Sequence, residues 1–108
     1  MLYVSNAFSL GMLQFSEVTL KVTEVSVQSV KELLHSQTFT SAIGHQGTAD
    51  IVTSLLNVAV PMNRVSIKLQ KGDTLVVFQL LTRVEEGRVL SKEELEKLPF
   101  KFFLVEVL

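Results

Sequence analysis

Hydrophobic and polar positions along this chain alternate between two periods, and the places where the period changes predict its elements. Leu2 to Val4 reads as a short opening strand. Asn6-Ala7-Phe8-Ser9 then supplies the small polar residues of a turn leading into a loop or helical turn. From Glu17 to Thr23 the period is two residues, with Val18, Leu20 and Val22 on one face and Thr19, Lys21 and Thr23 on the other, the pattern of a half-buried strand. At Ser26 the period lengthens. Ser26 is placed to cap a helix in which Val27, Val30, Leu33 and Leu34 share one stripe, Gln28, Lys31 and Glu32 face water, and His35 sits near the end.

Thr38 to Ile43 is rich in β-branched and aromatic residues and predicts another strand, broken by Gly44-His45-Gln46-Gly47. Thr48 is expected to cap a second helix with Ile51, Val52, Leu55 and Leu56 inward and Asp50 in its first turn, ending near Asn57. After Pro61, Arg64 to Leu69 alternates again, and Lys71-Gly72-Asp73 has the composition of a hairpin turn. Leu75 to Leu81 is apolar on both faces apart from Gln79, which predicts a central strand covered on both sides. Ser91-Lys92-Glu93-Glu94 has the spacing of a capping box and predicts a short helix ending before Pro99, and Phe102 to Val107 is the last strand.

The resulting order, β, β, α, β, α, β, β, α, β, predicts an α/β (α+β) fold, a mixed sheet of about five to six strands flanked by about three helices. Residues 1–108 form one domain with no repeat or linker, because a chain of this length fills one hydrophobic core. Strands apolar on two faces in so short a chain also predict a two-fold homodimer that buries the surplus.

Composition narrows the functional classes. The chain has no Cys, which excludes disulfides and thiolate metal sites. No basic leader precedes a long apolar run, and no stretch approaches the ~20 apolar residues of a membrane span. The expected location is therefore the cytoplasm of the host cell, without membrane partners. A formal net charge of -1 argues against capture of long DNA or RNA through phosphates, but clustered arginines can still bind a short anionic ligand. There is no phosphate loop and no His-Glu-x-x-His helix. The two His stand far apart with no tight carboxylate group, so no metal or other cofactor is expected.

Four places can carry chemistry. His45 lies between two glycines where a strand gives way to a helix, and a helix N-terminus offers free N–H groups to an anion. Taken singly, such a histidine is more often a capping or surface residue than a catalyst. Gln79 and Arg83 flank the end of the central strand, where Arg can hold phosphate through two parallel bonds; an ordinary solvated turn has the same composition. Pro61-Met62-Asn63-Arg64 delivers Arg64 to the start of a strand, as a rim salt bridge also would. Asn6 and Ser9 are ordinarily turn-makers. His35, at the end of an amphipathic helix, complements its dipole and has no further reading.

In combination, Asn6-Ala7-Phe8-Ser9, Ile43-Gly44-His45 before a helix, Asn63-Arg64-Val65 and Arg83-Val84-Glu85-Glu86-Gly87 resemble the viral ring nuclease family. That family, long known as a domain of unknown function in archaeal viruses, phages and bacterial mobile elements, includes type III anti-CRISPR proteins that degrade cyclic tetra-adenylate. The resemblance covers essentially the whole chain. It implies a two-fold homodimer with a pocket across the interface, and cleavage of cyclic tetra-adenylate to linear diadenylates with 2',3'-cyclic phosphate ends.

The resemblance also assigns roles. His45 is implied as general acid, Glu86 as the carboxylate that orients it, Arg64 and Arg83 as phosphate ligands, and Gln79, Asn6 and Ser9 as hydrogen-bonding contacts. Two positions depart from the family pattern: Gly47 stands where Ser is frequent, and Gly11 where Asn is. Those departures keep a sponge in view, a dimer that binds the cyclic nucleotide without cutting it. A mobile-element interaction protein with no small ligand is the other alternative.

Overall fold

The structure, a computed structural model, describes residues 1–81, 97 and 99–108. Among these, five strands form one mixed sheet: β1 (Leu2–Ser5), β2 (Leu20–Val25), β3 (Thr40–Ser41), β4 (Thr74–Leu80) and β5 (Phe100–Val107), in the order β2-β5-β4-β1-β3. Helices α1 (Val27–Ser36) and α2 (Gln46–Leu56) pack on one face. A 3-10 turn at Leu10–Met12 follows β1. β1 is parallel to both β3 and β4, and β5 runs antiparallel between β4 and β2. The chain is a single small α+β domain.

Alternation along each strand divides the apolar residues between two cores. Leu2, Val4, Val76, Phe78 and Phe102 face the helices and meet Val30, Leu34, Ile51, Val52 and Leu56. Leu75, Val77, Val105 and Val107 face the other way, under Phe8, Met12, Leu13, Phe15 and Val18 from the first connection and Ile67 and Leu69 from a later one. β4 is thus covered on both faces over Leu75–Phe78, as its sequence predicts. Gln79 differs from that prediction: it is exposed, because the strand runs past the edge of its cover, and its Nε2 donates to Leu80 O at 3.0 Å.

Local signals account for the helix ends. The Ser26 hydroxyl accepts from Ser29 N at 3.1 Å, capping α1 as expected. Asn57 closes α2 in the left-handed region, φ 53, ψ 36. The start of α2 departs from expectation, since His45, not Thr48, is the N-cap and Asp50 falls in the second turn. Gly47 does not break the helix there, because first-turn N–H groups have no intrahelical partner to lose.

The strand bounds shift as well. The alternation at Glu17–Thr23 becomes strand only from Leu20, Val18 packing into the second core from irregular backbone. Thr38–Ile43 contracts to Thr40–Ser41, because its partner β1 ends at Ser5, whose hydroxyl accepts from Ala7 N at 3.3 Å as the chain turns away. Arg64–Leu69 is not a strand. Ile67 and Leu69 are buried as the alternation requires, but the backbone there makes only a single bridge, Leu13 with Leu69. Lys71-Gly72-Asp73 therefore turns an irregular segment into β4 instead of closing a hairpin. The helix expected from Ser91 lies outside the described residues. No helix among the described residues is long and apolar enough to cross a membrane.

Among the described residues, Gly72 is the one glycine with a positive φ, at +92, which its turn demands. Its N–H donates to Val107 O at 2.8 Å, while Asp73 Oδ2 accepts from Gln70 N at 2.8 Å. Gly72→Ala forces a Cβ into that region and is expected to cost about 1–2 kcal/mol, read as a lower urea midpoint at unchanged slope.

Candidate functional site

Parallel strands end together, so the residues that follow β1, β3 and β4 gather at one edge of the sheet. In open sheets of this kind ligands bind outside the carboxyl ends of the strands. Val4 pairs with Ser41 and Ser5 with Val77, which sets Asn6 one residue beyond the paired part of β1, with Ile43-Gly44-His45 leaving β3 on one side and Gln79 near the end of β4 on the other. Asn6 is half-buried; Gln79 and His45 are exposed.

His45 is held at this edge by its backbone. As N-cap of α2 it is extended, its carbonyl accepts from Ala49 N at 3.0 Å, and its side chain makes no capping bond. Among the described residues the imidazole has no hydrogen-bond partner. The first-turn N–H groups of α2 beside it carry the positive end of the helix dipole, a setting that favours an anion.

Arg64 reaches the same loop. Its Nε and Nη2 donate to Gly44 O at 3.3 and 3.1 Å, one peptide from His45. A guanidinium has five donors, and among the described residues only Nε and Nη2 of this one are engaged. Among the described residues its hydrogen-bond partner is this carbonyl. Arg64 gets there because Met62 bridges Ile43 in parallel and Asn63 N donates to Ile43 O at 2.8 Å, laying residues 61–64 along the outer edge of residues 41–44.

Of the residues singled out in the sequence, His45, Arg64, Asn6 and Gln79 thus share one end of the sheet. Ser9 is exposed just before the 3-10 turn, where its carbonyl accepts from Met12 N at 3.1 Å, and among the described residues its hydrogen bonding is local to that turn. Arg83 and Glu86, with Glu85 beside it, lie outside the described residues. His35 is exposed in the last turn of α1, consistent with its dipole role alone. Among the described residues no three His, Asp or Glu side chains converge as a metal set would need.

Two contributors escaped the sequence reading. Ser41 is buried, donates from its hydroxyl to Pro61 O at 2.6 Å and accepts from Ile43 N at 3.3 Å. Asn63 donates from Nδ2 to Ser41 O at 2.7 Å. Asn63 stood in view as the neighbour of Arg64, but nothing local signals a bond to a residue 22 positions away. The two glycines that depart from the family pattern leave room for side chains. A Cβ at Gly47 would meet nothing within 4 Å, and one at Gly11 would sit 3.7 Å from Ser9 Oγ, an ordinary contact.

Fold and edge together define a class: a small α+β domain with a helix-capping histidine and an arginine at the carboxyl end of its parallel strands. The chain belongs to the STIV B116-like family, whose model matches residues 2–102. It is similar to protein 26 of Sulfolobus islandicus filamentous virus, 40% identical over 108 residues that cover 99% of this chain and 92% of the relative. The ORF117 protein of Acidianus two-tailed virus is 35% identical over 89 residues, 80% of this chain and 76% of that one. Among solved structures, B116 of Sulfolobus turreted icosahedral virus superposes with a TM-score of 0.84 at 30% identity, covering 97% of each chain.

Proposed function

We propose that this chain is a metal-independent ring nuclease that opens cyclic tetra-adenylate into linear diadenylates with 2',3'-cyclic phosphate ends, and so counteracts type III CRISPR signalling in the host cytoplasm. The observation that carries the reading is the pairing of an exposed His45, its side chain unused in capping, with the Arg64 guanidinium bound to the preceding carbonyl. The family's viral relatives support a role in a virus or mobile element.

The chemistry asks little of the protein beyond alignment. A ribose 2'-oxygen attacks its own 3'-phosphorus and the bond from phosphorus to the 5'-oxygen breaks; the product ends are a 2',3'-cyclic phosphate and a 5'-hydroxyl. His45 as imidazolium gives the leaving 5'-oxygen its proton, and a second proton leaves the 2'-hydroxyl to solvent. Arg64 offsets charge on the phosphate, Asn6 and Gln79 bond the ligand from the neighbouring strand ends, and Ser9 does so if the dimer brings its turn alongside. Arg83 and Glu86 take the roles the resemblance implies, phosphate ligand and orienting carboxylate. A two-fold homodimer would set two His45 side chains against opposite phosphodiesters of a symmetric ligand.

Incubation of the protein with cyclic tetra-adenylate and excess chelator, followed by chromatography and mass measurement, tests the reading. Linear diadenylate is the expected product. A complex that raises the melting midpoint yet yields no linear product would make the protein a sponge, and no shift with any cyclic oligoadenylate would leave an interaction protein. Gly47→Ser carries a further expectation. The site is open, so the hydroxyl enters without displacement. It restores the residue frequent in the family and replaces glycine in a helix. Turnover should rise, and stability should gain about 0.5 kcal/mol from propensity, read from a denaturation midpoint.

A further inference from the structure

Between the end of β3 at Ser41 and the start of α2 at Gln46 the chain has no ladder to follow, yet His45 sits in that gap. Apart from Ala42 N, which donates to Val4 O at 2.7 Å, its course is set from the side of residues 61–64. The Ser41 hydroxyl joins Pro61 O to Ile43 N, the Asn63 side chain holds Ser41 O, the Asn63 backbone holds Ile43 O, and Arg64 holds Gly44 O. The Arg64 stem also lies over Gly44, 3.8 Å from where a Cβ would stand. We propose that Ser41 and Asn63 are positioning residues: a latch that fixes the direction in which His45 leaves the sheet, without touching the ligand themselves. The catalytic consequence rests on the ring-nuclease reading; the latch does not.

The physical reason is leverage. Asn63 constrains the chain at two carbonyls within four residues of the imidazole, and an error near 1 Å in a reacting group can cost on the order of 10²-fold in rate. A comparable clasp stands elsewhere on α2 as a control: Thr53 Oγ1 donates to Val60 O at 3.1 Å and accepts from Val60 N at 3.0 Å, securing the exit from the helix. Loss of either clasp removes two hydrogen bonds or fewer from a loop, but only one of the loops carries His45.

The test compares Asn63→Ala, Asn63→Asp, Ser41→Ala and Ser41→Thr with Thr53→Val. In Asn63→Ala and Asn63→Asp, backbone order parameters at Gly44 and His45 should fall from about 0.85 toward 0.6. The His45 ring signals should shift while those of His35 stay in place. Turnover of cyclic tetra-adenylate should drop on the order of 10²-fold with KM within about three-fold of wild type. Ser41→Ala should follow the same course, and Ser41→Thr, which keeps the hydroxyl, should restore order and turnover. Thr53→Val should lower the melting midpoint alone. Unchanged order parameters and ring signals in Asn63→Ala overturn the latch, as does a turnover loss in Thr53→Val equal to that in Asn63→Ala. A wild-type protein that cleaves nothing overturns the nuclease reading, while the resonance measurements still decide the latch.

Discussion

His45→Ala is expected to lower turnover of cyclic tetra-adenylate by roughly 10²–10⁴-fold, the worth of a positioned general acid, while a ligand-induced rise in melting midpoint persists. The variant should fold. His45 is exposed and its side chain makes no capping bond to α2, so little stability is lost with it, about 0.5 kcal/mol or less. A fall in rate can then be assigned to the proton and not to the fold. His35→Ala is the companion control, removing the other imidazole from the last turn of α1, for which no change in turnover is expected. Single-turnover measurement with saturating enzyme separates chemistry from binding. Wild-type turnover in His45→Ala would remove the mechanism, whatever the affinity.

How much of this was legible beforehand follows from what alternation reports. Ile67 and Leu69 are buried where the period of two puts them, but the pattern records burial and not pairing, and among the described residues no partner strand lies beside them. Val22 shows the opposite case. It belongs to a true strand and is still 58% exposed, because β2 is the edge of the sheet. Leu75–Phe78 was readable because a strand covered on both faces needs apolar residues at every position. Gln79 was misplaced because cover ends within the strand, which depends on how far the Phe8–Val18 connection extends.

The candidate site divides in the same way. His45 stood out because a histidine between two glycines at a change of period marks a strand-to-helix junction. That it caps the helix itself, three residues ahead of Thr48, depends on the backbone course set by Asn63 and Arg64 from a distant segment. Ser41 and Asn63 were silent for that reason: each acts through a bond of long sequence separation, and a Ser or an Asn beside a turn has the same local signature whether or not it makes one.

The largest loss of stability should come from beneath this edge, at Phe78. It is 1% exposed on the central strand, and its ring lies 5.2 Å from Phe102, its partner on β5, and 5.7 Å from Phe100. Phe100 and Phe102 complete the triangle at 5.7 Å, edge to face. Phe78→Ala removes the side chain common to two of these contacts and leaves a cavity against α1 and α2, a change that costs about 3–5 kcal/mol. For a domain near 100 residues each kcal/mol lowers the melting midpoint by roughly 4 °C or more, so a drop above about 12 °C is expected in calorimetry. Phe78→Leu, which keeps most of the volume, should recover more than half of it. Register places Phe78 next to Val77, the partner of Ser5, so the cavity opens where β1 and β4 release Asn6 and Gln79. Those two residues should therefore lose order before the far ends of their strands do, and ligand affinity in Phe78→Ala should weaken at temperatures where the domain is still folded. A variant that melts within about 3 °C of wild type would show that the aromatic triangle does not anchor this end of the sheet.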